Sequence, residues 1–343
     1  MKKYPRSLPL YILLIVGLIL FLSFLVYDQS KYLPLMQGHA FFCTPSPQGI
    51  FNDSLFHHTL PRCGNYRETI AVSSNNSTGS SGIDVHTNAL GFRNEEYQIK
   101  KDQNTMRIII LGDSFAYGYG VDLRDTFYKQ LEDGLNKQSG VKIEIWNLGV
   151  PSWSTAIHYY IMREKIRLYS PDYILLFLDE SDFADNMLYT KMIVWNGSKD
   201  IGIQQNELGS GIPYYEAREK IQMQLQQGNS IQRRQHILEQ HAITLQYLKK
   251  INQLSIEMSV PFEVVVYPYG HTAPKHYQEY MLPFLSNLSS QSIPYVDLYP
   301  YLLRKTELYS PVHLHWNEDG SVYVAGILFE HIVKNVTYAA LWN

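Results

Sequence analysis

Met106 to Gly120, MRIIILGDSFAYGYG, is the stretch on which the reading of the whole chain turns. Ile108, Ile109, Ile110 and Leu111 follow one another without polar alternation, the pattern of a parallel-sheet strand buried on both faces. The run stops at Gly112-Asp113-Ser114, so Ser114 falls at the carboxyl end of the strand, the edge where open α/β sheets take ligands. Two readings of Ser114 stand side by side. It is a nucleophile raised on a strand-to-helix turn, or it caps the next helix, since Gly, Asp and Ser are common turn and cap residues.

Strand and helix alternate beyond this point. Phe127, Leu131 and Leu135 recur at four-residue spacing and predict a helix through Lys137. Val141 to Trp146 reads as a second strand, ending at Asn147-Leu148-Gly149-Val150. Ser154 or Thr155 caps a helix to about Leu168, and Tyr173 to Leu178 is a third buried strand. The polar run from Asp179 to Asn186 reads as a solvated loop, with a cation site as the sharper alternative. Residues 187–226 read as an insertion forming a lid or rim. A helix over His236 to Met258, a strand over Phe262 to Val266, a helical segment over Lys275 to Leu288, a short strand over Tyr295 to Leu298 and a last helix after Gly320 complete the body. The alternation predicts a three-layer α/β/α domain over 106–343 with a mostly parallel sheet.

Upstream the pattern changes. Lys2, Lys3 and Arg6 precede an almost unbroken apolar run from Leu8 to Tyr27, long enough for one transmembrane helix and without a small-residue cleavage site. Residues 1–31 therefore read as a cytoplasmic tail and retained signal anchor. The leading cations make this a single-pass membrane protein with its body extracytoplasmic. Residues 32–105 read as a lead-in and linker, with the Ser/Asn/Gly-rich run Ser73 to Gly82 as a surface loop. Cys43 and Cys63, the chain's two cysteines, are candidates for a disulfide in that compartment. Arg93, in the segment VHTNALGFR, pins this segment to the domain or holds a ligand carboxylate. With Lys+Arg 29 against Asp+Glu 32 and no long basic tract, nothing points to nucleic acid.

A serine hydroxyl needs a base within hydrogen-bond reach to become a useful nucleophile. His271 follows the fourth strand, and His313 and His315 precede the last helix. In an extended segment His313 and His315 share a face, so the two rings could cooperate. A structural hydrogen-bond role is the plain alternative for either ring, and a metal site there lacks a third ligand.

Taken in order, these blocks resemble the SGNH/GDSL hydrolase superfamily, in particular its membrane-anchored extracytoplasmic members related to polysaccharide O-acyl esterases and O-acetyltransferases. Gly112-Asp113-Ser114 is similar to its nucleophile block, Asn147-Leu148-Gly149 to its oxyanion glycine block, and His315-Trp316-Asn317 with Gly320 and Val324-Ala325 to its histidine block. Asn88 to Arg93 resembles a segment that often precedes the nucleophile strand. The resemblance runs from about Val85 to the C-terminus. It implies a flavodoxin-like sheet, Ser114 as nucleophile, His315 as base, Gly149 as oxyanion donor, and no metal or cofactor. It also implies an acylated glycan or glycoconjugate substrate and polysaccharide-processing partners.

Two positions depart from that pattern. Ser181, followed by Asp182, stands where relatives carry an oxyanion asparagine, with Asn186 as a nearby substitute. Val312 and His313 stand where relatives place the aspartate that orients the histidine; Asp297, in the fifth strand, and Asp319, near the last block, are the other acids considered. The reading is a serine esterase acting through an acyl-serine intermediate. An O-acyltransferase to a sugar hydroxyl, or a catalytically impaired glycan-binding or assembly protein, is the alternative.

Overall fold

The computed structural model describes residues 51–335 apart from 54, 75–76, 97, 205–228 and 271. The predicted signal anchor, Cys43, His271 and most of the predicted lid lie outside the described residues, among which no helix is long and apolar enough to cross a membrane.

Five strands, β1 (Thr105–Leu111), β2 (Lys142–Asn147), β3 (Tyr173–Leu178), β4 (Phe262–Val266) and β5 (Tyr295–Asp297), form one sheet in the order β5-β4-β3-β1-β2. Every neighbouring pair is parallel, with Ile109 of β1 opposite Trp146 of β2 and Ile174 of β3. This is the flavodoxin-like order, in which the direction of winding reverses beside β1 and opens a crevice at the carboxyl ends of β1 and β3.

The helices of the described residues include α1 (Ser114–Tyr117), α2 (Phe127–Gln138), α3 (Thr155–Glu164), α4 (Ser181–Thr190), α5 (Ser230–Met258), α6 (Leu282–Ser290) and α7 (Glu318–Asn335). They cover both faces of the sheet. Ile108 and Ile110 pack with Leu131 and Leu135 of α2 and Val324 and Leu328 of α7. Ile109 and Leu111 point the other way, toward Ile157 of α3, Leu248 of α5 and Phe284 of α6. All four side chains are fully buried, which is why the run could dispense with polar alternation.

Two expectations fail in instructive ways. The run Asp179 to Asn186 is not a solvated loop, because α4 begins at Ser181 and buries Asp182, Phe183, Asp185 and Asn186. Its start is held by local bonds: Ser181 N–H donates to Asp179 Oδ1 (2.6 Å), and Asp179 N–H donates to Asp182 Oδ2 (2.9 Å). The stretch expected as a loop over Ser73 to Gly82 falls within an antiparallel hairpin of Asn65–Ser74 with Ser77–His86. Tyr66 of that hairpin reaches Tyr117 of α1, hydroxyl to hydroxyl at 3.1 Å. Arg93 is completely buried and donates to the carbonyls of Gly118 and Val121 at 2.6 Å each, so it pins the lead-in onto the turn after α1. Cys63 is disulfide-bonded.

Candidate active site

Ser114 opens α1 immediately beyond β1. The cap of that short helix is Asp113, whose Oδ1 accepts from Phe115 N–H and from the Tyr267 hydroxyl, both at 2.9 Å. Because Asp113 takes the capping role, the Ser114 side chain is free to turn outward. Its Oγ lies 2.7 Å from His315 Nε2.

The chain delivers His315 through a closed loop. Tyr309 and Trp316 form an antiparallel bridge, and between them Ser310 N–H donates to the His315 carbonyl at 2.8 Å. Asn317 then starts α7, its side chain accepting from Gly320 N–H at 2.9 Å. The two histidines do not lie on an extended segment as predicted. Leu314 between them is left-handed, with φ 61°, a conformation that is unusual for a branched side chain. Across that turn His313 Nδ1 stands 3.3 Å from His315 Nδ1.

The His315 ring faces Phe115 at 4.6 Å and Tyr119 at 4.9 Å between centroids. Loss of hydration in this aromatic setting, and secondarily the neighbouring His313, pushes its pKa down to about 3. Burial also lowers that of His313. Both rings are therefore neutral at pH 7.

β2 brings Gly149 alongside. Leu148 N–H donates to the Ile110 carbonyl and Val150 N–H to that of Gly112, so the chain continues parallel to β1 past its end. A Cβ at Gly149 would fall 2.6 Å from the Tyr117 nitrogen and 2.8 Å from the Ala116 carbonyl carbon, so only glycine lets the two backbones approach this closely. The Gly149 N–H itself donates to Asn147 Oδ1 at 3.0 Å.

The other candidates are engaged elsewhere. Asn186 does not offer its amide to this space, since Oδ1 accepts from Ser154 Oγ and Ala156 N–H, and Nδ2 donates to Thr244 Oγ1, all at 2.8 Å. It ties α4 to α3 and α5. The Ser181 hydroxyl and N–H both address Asp179. Asp297 accepts from the Tyr277 hydroxyl and Tyr299 N–H, Asp319 is exposed on the first turn of α7, and Val312 is exposed, so none of these places a carboxylate beside His315. A cavity of about 300 Å3 beside the histidine loop is lined by Gly270, Arg304 and Tyr309 among others but by neither Ser114 nor His315.

One feature of the site escaped the sequence reading. Asp113, Asp179 and Asp182 are buried together at the ends of β1 and β3. Burial and then the charge of Asp113 raise the pKa of Asp179, and burial and then Asp179 raise that of Asp182. Their spacing, one acid before Ser114 and two straddling Ser181, was visible, but nothing in it distinguished buried from solvated carboxylates.

No family model and no curated protein matches the chain. Solved structures do resemble it. The psychrotrophic esterase EstA from Pseudoalteromonas sp. is 14% identical, over 68% of this chain and 99% of its own, with a TM-score of 0.43. The acetyl xylan esterase AlAXEase is 12% identical, over 66% and 100%, with a TM-score of 0.42. A GDSL-like lipase from Bacteroides thetaiotaomicron is 10% identical, over 66% and 88%, with a TM-score of 0.39. Two of these three structures are esterases and the third is a GDSL-like lipase.

Proposed function

We propose that the chain is a serine-dependent ester hydrolase of the SGNH/GDSL type, with Ser114 as nucleophile and His315 as general base. The observation that carries this is the 2.7 Å contact between Ser114 Oγ and His315 Nε2 at the carboxyl end of a central parallel strand. His315 Nε2 takes the Ser114 proton as Oγ bonds to the ester carbonyl carbon, and the carbonyl electron pair moves onto its oxygen. The tetrahedral intermediate collapses, the imidazolium returns its proton to the departing alkoxide, and an acyl-serine remains. Water, deprotonated by His315, then releases the acid and restores Ser114.

The oxyanion needs donors. The Ser114 N–H, at the first position of a helix, has no intrahelical partner and is the first of them. Gly149 N–H is the second once substrate oxygen displaces Asn147 Oδ1, and the Ser181 hydroxyl joins only by leaving Asp179. Because one such donor is worth ~100-fold or more in rate, the hole is weaker than a fully preorganised one.

The substrates are small acyl esters on extracellular glycans or glycoconjugates, a reading supported by the apolar run Leu8 to Tyr27, whose length and leading cations fit a signal anchor with the body outside the membrane. Full-length protein incubated with an acetylated polysaccharide should release acetate, and Ser114→Ala should not. Acetate appearing only on an added sugar acceptor would make the activity a transfer. Saturable glycan binding without any acyl turnover, unchanged in Ser114→Ala, would establish the second reading, an impaired glycan-binding protein. That reading is favoured by His313 standing where an aspartate would stabilise the imidazolium.

A further inference from the structure

We propose that His313 is a positioning residue that sets the proton on His315 by accepting a hydrogen bond at Nδ1, in the place of a carboxylate. The inference rests on the reading of Ser114 and His315 as nucleophile and base.

The argument is one of hydrogen counting. The backbone N–H of His315 is directed at His313 Nδ1, 3.4 Å away. A backbone N–H can only donate, so His313 Nδ1 carries a lone pair and the ring's proton is on Nε2. His315 Nδ1 faces that same lone pair at 3.3 Å. If it carried no hydrogen, two lone pairs would oppose each other. His315 is therefore protonated at Nδ1, which leaves its Nε2 bare and 2.7 Å from Ser114 Oγ, where it can only accept the serine proton. One assignment satisfies all three contacts. The opposite tautomer of His315 would turn Nε2–H toward the serine and abolish the base. The two distances at His313 are long, as expected where one lone pair serves two donors.

The ring of His313 is held for this task. Gly120 has φ +85°, and a Cβ there would fall 2.6 Å from His313 Cε1 and 2.7 Å from its Nε2, so the ring rests on bare backbone. Tyr119 meets it edge-on at 5.2 Å, and the left-handed Leu314 turns it back over His315. The titratable groups facing the pair are Tyr119 and Tyr269, the latter 6.4 Å from the His315 ring. A neutral acceptor selects the tautomer of His315 but adds no negative charge to the imidazolium that forms during reaction. Protonated His313 would lose its lone pair and so its role.

The tautomers are read without activity, from long-range 1H–15N spectra of full-length protein labelled at histidine, with the two rings assigned by substitution. The expected result is Nδ1–H for His315 and Nε2–H for His313; Nε2–H on His315 overturns the proposal. Kinetics gives an independent reading. His313→Phe keeps a ring without an acceptor and should lower kcat ~100-fold or more with KM nearly unchanged. His313→Asn, whose Oδ1 stands where Nδ1 does, should remain within ~10-fold of the parent. His313→Asp should raise kcat and move the acid limb of the pH profile upward. Equal losses in the Phe and Asn variants would reduce His313 to packing and overturn the proposal. If the parent shows no acyl turnover at all, the esterase reading falls, while the spectra still decide how the two rings share their protons.

Discussion

Two polar clusters, one half-buried and one buried, meet at the carboxyl ends of β1 and β3, and each lacks what the other has in excess. Above lie the rings of His315 and His313, facing each other and the Ser114 hydroxyl, with no carboxylate bonded to either among the described residues. Below lie Asp113, Asp179 and Asp182, which accept from backbone N–H groups at the starts of α1 and α4, from the Tyr267 hydroxyl and from the Ser181 hydroxyl. Phe115 packs against both, 4.6 Å from His315 and 5.0 Å from Tyr267 between ring centroids. The carboxyl groups absent beside the histidine pair are therefore present nearby, but engaged in starting α1 and α4. On the proposed mechanism the imidazoles serve the chemistry while the carboxyl groups serve the fold, so perturbing one cluster should separate stability from rate.

Ser114→Ala should make the sharpest separation. Acyl turnover should fall ~1,000-fold or more, while thermal stability hardly moves, because Asp113 rather than Ser114 caps α1. A large loss of stability in that variant, measured by thermal melting, would give Ser114 a structural role and break the contrast.

The pH profile sharpens it from the other side. The base must be neutral, so kcat/KM is lost as pH falls through the folded pKa of His315, lowered by burial to about 3. At pH 5 the enzyme should keep most of its pH 7 rate, where an ordinary histidine would have lost roughly ten-fold or more. An acid limb near pH 6.5 would mean that the ring is hydrated and its carboxylate-free setting inconsequential.

Gly149→Ala tests the joint between the clusters. Its Cβ meets the backbone of α1 rather than a movable side chain, so unfolding stability should drop by ~1–3 kcal/mol, measured in urea, with activity falling as Ser114 is displaced.

Asp179→Asn should have the smallest effect and the opposite sign. The folded pKa of Asp179 is raised, so the folded chain holds a proton that the unfolded chain has already lost. Its contribution to stability is present below that pKa and lost as pH rises through it. A neutral amide keeps an oxygen for Ser181 N–H and removes the like charge facing Asp113. Urea midpoints should therefore rise modestly at pH 8 and depend less on pH. A midpoint that falls at pH 8 would mean that the charged form is the stabilised one.

The sheet was legible in the sequence because residues such as Ile108 to Leu111 are buried on both faces, and burial of that kind leaves no other pattern. α4 was not, because Ser181, Asp182, Asp185 and Asn186 have the composition of a loop and become helical through contacts with α3 and α5, which lie far away in sequence. At the site, Ser114 and His315 could be picked out by their blocks. Nothing in the residue string revealed that Asn147 occupies the Gly149 N–H, or that Leu314 turns left-handed and swings His313 onto His315. These are consequences of backbone direction, which residue type at a single position does not encode.

The central claim is that His315 makes Ser114 a nucleophile, and treatment with a serine-directed phosphonate followed by intact-mass and peptide analysis tests it most directly. One adduct, on Ser114, formed at pH 7 and absent from both Ser114→Ala and His315→Ala, is the predicted result. No adduct between pH 5 and pH 9, or one that persists in Ser114→Ala, would contradict it.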